Sequence, residues 1–189
     1  MHAVVTNPLT AENAVGLIGS SKQLAPDAVQ LCSIGHSDHG IPAFVNLLHL
    51  HGIAVLVDVR SQPYSQWVPQ FNRENLARDI QAAGIQYLFM GDALGGRPSA
   101  REFYDVDPEH PNYKRLAQSP AFQSGCESLL ALARVQRVVI MCSEGDYLKC
   151  HRALLITPAL LKRGARVFHI RPDGTDVEAQ PEFQQPSLF

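Results

Sequence analysis

The sequence predicts a single-domain α/β protein, a doubly wound and mostly parallel sheet of about five strands with helices on both faces. Three observations predict it. Amphipathic stretches closed by glycine recur three times, each followed at once by a β-rich run. The runs VLVDV and VVIM are continuously apolar, as strands covered on both faces must be. The chain has 189 residues, 46% of them hydrophobic and 18% charged, enough to bury one sizeable core.

Residues 31–35 (LCSIG) read as the first strand. Residues 44–52 then form an amphipathic helix ending in Gly52, before the strand IAVLVDVR. The pattern repeats in residues 76–84, ending in Gly84 before IQYLFM, and in 153–164, ending in Gly164 before ARVFHI. Glycine at the position after a helix accepts the left-handed conformation that ends it. Ser119 and Pro120 open a further helix as N-cap and first helical residue, ahead of the strand RVVIMCS.

Three segments fall outside this alternation. Residues 1–30 have weak periodicity and are expected to be a disordered lead or an extra helix. Residues 91–118, rich in Gly, Pro and Asp, form an insertion suited to lid or substrate contacts within the 31–171 domain. Residues 172–189 read as a Pro172-Asp173-Gly174 turn and an extended polar tail.

No apolar run approaches the roughly 20 residues a membrane helix needs, and the N-terminus lacks the pattern of a secretory signal. A cytoplasmic protein without a membrane partner is expected. Cys32, Cys126, Cys142 and Cys150 are too few to staple the domain and read as free thiols. The formal net charge is -2, yet residues 149–171 carry six basic side chains and no acidic one, which suggests a basic face that attracts phosphate.

In an open α/β sheet the ligand crevice lies outside the C-terminal strand ends. That rule selects His36 and Ser37 after the first strand, Asp58 and Arg60 at the second, Cys142 and Glu144 at the fourth, Cys150, His151 and Arg152 opening the last helix, and His169 near the end of the fifth strand. Glu144, Asp58 and Cys142 are the candidate catalytic residues. Glu144 suits a general acid or base or a structural ion pair, and Cys142 suits a functional thiol or a buried small hydrophobe. Asp58 and Arg60 flank Val59 and so point to one side of the strand, as a salt bridge or a substrate clamp. His36, Ser37, Arg60, Cys150, His151, Arg152 and His169 are the candidate anion-binding set, helped by the free N–H groups of the helix start.

No strong ligand spacing supports a metal, although His36 and His39 with Asp58, Cys142 or Cys150 offer suitable donors. A rhodanese-like anion cradle is disfavoured because the loop CSEGDYLKCHR is too long. The C-x5-R spacing of cysteine phosphatases would need Arg where Leu148 stands. Neither GxGxxG, nor a Walker A loop, nor the zinc deaminase signature occurs, so no cofactor is predicted.

The set IGHS (34–37), DVR (58–60) with Pro63 and Ser65, Phe71-Asn72, LGG (94–96), CSE (142–144), CHR (150–152) and His169-Ile170 resembles the DUF488 family, a domain of unknown function, over residues 31–170. The resemblance implies a compact α/β fold and no assigned reaction. Two features depart from it: the long N-terminal lead, and Pro158, which should kink the last helix or restart it with Thr157 as N-cap.

The functional expectation is a hydrolase or group transferase acting on a phosphorylated, nucleotide-like or nucleic-acid substrate. The alternative is a non-catalytic anion-binding or nucleotide-binding module, or an adaptor. The tail adds a partner expectation and, through it, a role in DNA repair or replication. Gln185, Leu188 and Phe189 resemble the pentapeptide by which bacterial replication and repair proteins hold the sliding clamp, with Pro186 departing from the usual apolar second position.

Overall fold

The structure, a computed structural model, describes residues 28–181. The elements run β1 (Gln30–Gly35), α1 (Ile41–Leu50), β2 (Val55–Asp58), α2 (Arg73–Ala82), β3 (Gln86–Phe89), α3 (Gly91–Leu94), α4 (Tyr113–Leu116), α5 (Pro120–Ala133), β4 (Val138–Cys142), a π-helical segment (Arg152–Ile156), α6 (Thr157–Leu161), β5 (Arg166–Ile170) and β6 (Asp176–Glu178). They build one six-stranded sheet in the order β3-β2-β4-β1-β5-β6, parallel except for the β5–β6 pair. The α/β fold is the one the alternation predicts. The sixth strand follows the Pro172-Asp173-Gly174 turn, where a polar tail was expected, and Glu178 is tied to Arg166 by paired hydrogen bonds of 2.7 and 2.8 Å.

Alternate strand residues face two separate cores. On one face, Phe44 and Leu48 of α1 and Leu76 and Ile80 of α2 pack on Cys32, Ile34, Leu56, Val139 and Met141. On the other, Phe122, Cys126, Leu129 and Leu130 of α5 and Leu160 of α6 pack on Leu31, Val55, Val57, Val138, Ile140 and Val167. Gly52, Gly84 and Gly164 all have φ between +63° and +80°, the left-handed helix ends expected of them. The Ser119 hydroxyl accepts from the Phe122 N–H at 3.3 Å, capping α5 as expected.

Thr157 does not act as an N-cap. It has helical dihedrals, and its buried Oγ1 has no partner. The chain instead widens into the π-helical segment before Pro158, whose missing N–H falls in the first turn of α6, where no intrahelical bond is lost. The basic face expected over 149–171 is also dispersed. Arg152 is fully buried, Arg163 binds the Ala159 carbonyl and Gln123, and Arg166 binds Glu178. No helix among the described residues is long and apolar enough to cross a membrane.

The adjacent central strands β1 and β4 decide where a ligand can approach. From β1 the chain leaves through α1 towards β2, and from β4 it leaves through α6 towards β5 on the other face. Connections departing in opposite directions open a crevice at the C-terminal ends of these two strands.

Candidate functional site

At this crevice the sheet ladder continues past the strands. The His36 N–H donates to the Cys142 carbonyl and the Ser37 N–H to the Ser143 carbonyl, both at 2.9 Å, so the two loops are locked side by side. The fit requires Gly35: a Cβ there would lie 1.9 Å from the Glu144 carbonyl oxygen. Ser37 takes φ +47°, an uncommon conformation for a residue with a side chain.

The structure brings most of the expected site residues together as two adjoining clusters, with Ser37 and His169 outside both. Asp58, Arg60 and His36 form the first. Both side chains of the Asp58–Arg60 pair are buried, with Arg60 Nε donating to Oδ1 at 2.9 Å and Nη2 to Oδ2 at 2.6 Å. Arg60 also donates to the Phe71 carbonyl at 2.8 Å, and Tyr87 donates its hydroxyl to Asp58 at 2.8 Å. Burial and then the Asp58 charge push the Tyr87 phenol up. His36 stacks on Phe71 with centroids 4.2 Å apart. Its Nδ1 lies 2.8 Å from the Ser37 carbonyl and must donate there, leaving Nε2 to accept from Arg60 at 3.3 Å. Burial, with Arg60 beside it, lowers the His36 pKa to about 4, so this ring is neutral at physiological pH.

Cys142, Glu144, Cys150, His151 and Arg152 form the second cluster. Glu144 Oε2 lies 2.9 Å from Cys142 Sγ and 3.2 Å from Cys150 Sγ, while His151 Nδ1 is 3.5 and 3.6 Å from the same sulfurs. Both cysteines and His151 are buried, whereas Glu144 is exposed. His151 Nε2 donates to the Val59 carbonyl at 3.1 Å, which leaves its Nδ1 lone pair facing the thiols. Arg152, the largest fully buried side chain, donates Nε to Cys150 Sγ at 3.2 Å and Nη2 to the Glu144 carbonyl. The hydrogen bond from Cys142 holds the Cys150 thiol well below its ordinary range, with His151 and Arg152 acting in the same direction, and the Cys142 thiol is raised in turn.

Arg60 and Arg152, expected to grip a substrate anion, thus direct their donors inward. The Arg152 N–H at the helix start is also taken, by Cys150 Sγ at 3.5 Å. His169 sits on β5 opposite Ser33, 2.6 Å from its hydroxyl, under the stacked ring of Tyr147 at 4.2 Å. Burial, followed by Arg152, lowers its pKa to about 4. Gln185, Leu188 and Phe189 lie outside the described residues, as does the lead up to residue 27.

Three functional candidates, Tyr113, Tyr64 and Trp67, are not singled out by the sequence, and Arg97, which ends the Leu94-Gly95-Gly96-Arg97 run that the crevice rule places after β3, stands with them. Tyr113, from the insertion, packs against the core cluster that holds Cys142 and Cys150, and burial, then those thiols and Glu144, push its hydroxyl pKa up to about 12. Arg97 is exposed, and its N–H binds the Ser61 hydroxyl at 2.8 Å. Its neighbour Gly96 packs so closely on His151 that a Cβ would fall 2.6 Å from the ring. Tyr64 and Trp67, in the loop after β2, are 76% and 84% exposed. Tyr113, Tyr64 and Trp67 stand in no motif; only their positions in loops following β2 and β3 pointed to this edge.

Fold and site define a doubly wound α/β protein with a cysteine, histidine and glutamate cluster at its topological switch point. The chain belongs to the DUF488 family, a domain of unknown function, whose model matches residues 40–157, well over half of its length. That span includes the second cluster but neither His36 nor His169. Comparison with curated proteins and with solved structures gave no match.

Proposed function

We propose that the chain is a hydrolase or group transferase whose proton-handling group is Glu144, acting on a nucleotide-like or nucleic-acid substrate. One observation carries the reading: at the switch point an exposed carboxylate stands within hydrogen-bond reach of two buried thiols, with an imidazole nitrogen beside both. A carboxylate facing solvent can receive or deliver a proton at a substrate, and the buried groups hold it in place. Asp58 serves as the counter-ion of Arg60 and stays out of the chemistry.

The exposed residues of the same edge support the substrate class. Tyr64 and Trp67 offer faces on which bases stack, and the exposed Arg97 offers a guanidinium for a phosphate. Incubation of the purified chain with nucleotides and single-stranded oligonucleotides, followed by chromatography of the products, tests the proposal. Glu144→Gln should lower turnover by on the order of 100-fold or more with the fold retained, and Trp67→Ala should weaken binding. Binding without turnover would instead identify a non-catalytic nucleotide-binding module, and unchanged turnover in Glu144→Gln would overturn the assignment.

A further inference from the structure

We propose that Cys142, Cys150 and His151 form a zinc-binding site, with Glu144 closing the fourth, solvent-facing position. The proposal shares residues with the catalytic reading but does not depend on it, because the ion can be held whether or not a substrate is turned over.

The donor set is the first support. Two thiols and an imidazole nitrogen, all buried, lie within 4.8 Å of one another. Soft sulfur with imidazole suits zinc, and Cys, His and Glu all occur as its ligands. Spacing is the second support. Zinc–sulfur bonds of about 2.3 Å and zinc–nitrogen bonds of about 2.0–2.1 Å at tetrahedral angles separate sulfur from nitrogen by about 3.6 Å. The two sulfur–nitrogen distances are 3.5 and 3.6 Å. The carboxylate stands closer, at thiol hydrogen-bonding distances of 2.9 and 3.2 Å, and as the exposed member it has room to move out.

The surrounding groups supply the third support. A ligating histidine commonly donates its other ring N–H to a carbonyl, which fixes the tautomer; His151 does this to Val59 at 3.1 Å. Cys150 Sγ accepts two N–H groups from Arg152, at 3.2 and 3.5 Å, as a ligating thiolate requires. Charge closes the argument. A divalent ion with two thiolates and the Glu144 carboxylate carries one net negative charge, and the fully buried Arg152 guanidinium balances it. The spacing C-x7-C-H hid the site from the sequence, since two ligands are adjacent and the third lies across the 143–149 loop.

Metal analysis of the full chain, purified under reducing conditions and dialysed with zinc, should find about one zinc per chain. Cys150→Ser and His151→Ala should lose it, and Cys126→Ser, whose buried thiol lies elsewhere in the core, should keep it. Because the variants could fail to fold, the wild-type chain stripped by a chelator is also titrated with cobalt. Intense visible bands of a tetrahedral ion with sulfur-to-cobalt charge transfer are expected, altered in Glu144→Ala as solvent takes the fourth position. No stoichiometric zinc and no cobalt spectrum from folded, reduced protein would overturn the proposal, as would full zinc content in a folded Cys150→Ser chain. Zinc bound without turnover of any substrate would leave the site standing and remove the enzymatic reading.

Discussion

Arg60 grips Asp58 through two parallel hydrogen bonds with both side chains removed from water, so the Asp-Val-Arg run of β2 and the residues beyond it ends in an internal ion pair. Removing one partner strands the other. Arg60→Met should cost about 3–5 kcal/mol, read from urea denaturation. The double replacement Asp58→Leu/Arg60→Met should cost less than the sum of the single changes, because no charge remains unpaired. Additive losses would show that the pair is not coupled.

Acid should destabilise the fold through His36 and His169. Each is neutral in the folded chain with a pKa lowered to about 4, against about 6.5 when unfolded. Between these values the unfolded chain binds protons that the folded chain refuses, so stability is complete above about pH 6.5 and falls as pH drops towards 4. The two together amount to several kcal/mol, on the order of 3 each. Denaturation midpoints at pH 7.5 and 5 provide the measurement, and Ser33→Ala and Phe71→Leu variants report on the surroundings of each ring. A flat profile over that range would contradict the buried neutral rings.

Gly35→Ala should displace residues 143–145, because the added methyl would meet the Glu144 carbonyl at 1.9 Å. A loss of about 1–3 kcal/mol is expected for such overpacking, with loss of whatever the Glu144 cluster binds. Gly40→Ala is the control: its nearest contact would be 3.9 Å away and its φ is -71°. Thermal melts should separate the two by several degrees.

The Arg166–Glu178 pair offers a contrast, since both side chains remain about 30% exposed. Glu178→Gln should cost under about 1 kcal/mol at neutral pH. Its carboxyl is held below the usual range by Arg166, so its small contribution fades as pH falls through that range.

For the tail, calorimetry of the full-length chain against a bacterial sliding clamp should give roughly micromolar binding, lost when Leu188 and Phe189 are removed. Equal or absent heats in both chains would overturn the clamp expectation.

Much of the fold was legible locally. The apolar runs, the three helix-ending glycines and the Ser119-Pro120 cap act through contacts within a few residues, so their pattern marks strands, helices and the sheet's ligand edge. The short strand β6 was not legible, because three residues at a sheet edge carry little periodicity and their pairing depends on β5 beside them.

What the sequence determined by itself was therefore the α/β class and the list of reactive side chains that reach one edge. Only the tertiary structure decided what they do to one another. It turned Arg60 and Arg152 inward onto Asp58 and Cys150, since a buried guanidinium must find partners inside the chain. It also folded the 143–149 loop so that Cys142 meets Cys150 and His151, with the loop held by the backbone bonds of His36 and Ser37 and the close passage at Gly35. The residues that brace this loop, Gly35 to Ser37, come from the end of a strand far away in the chain, which no local spacing encodes.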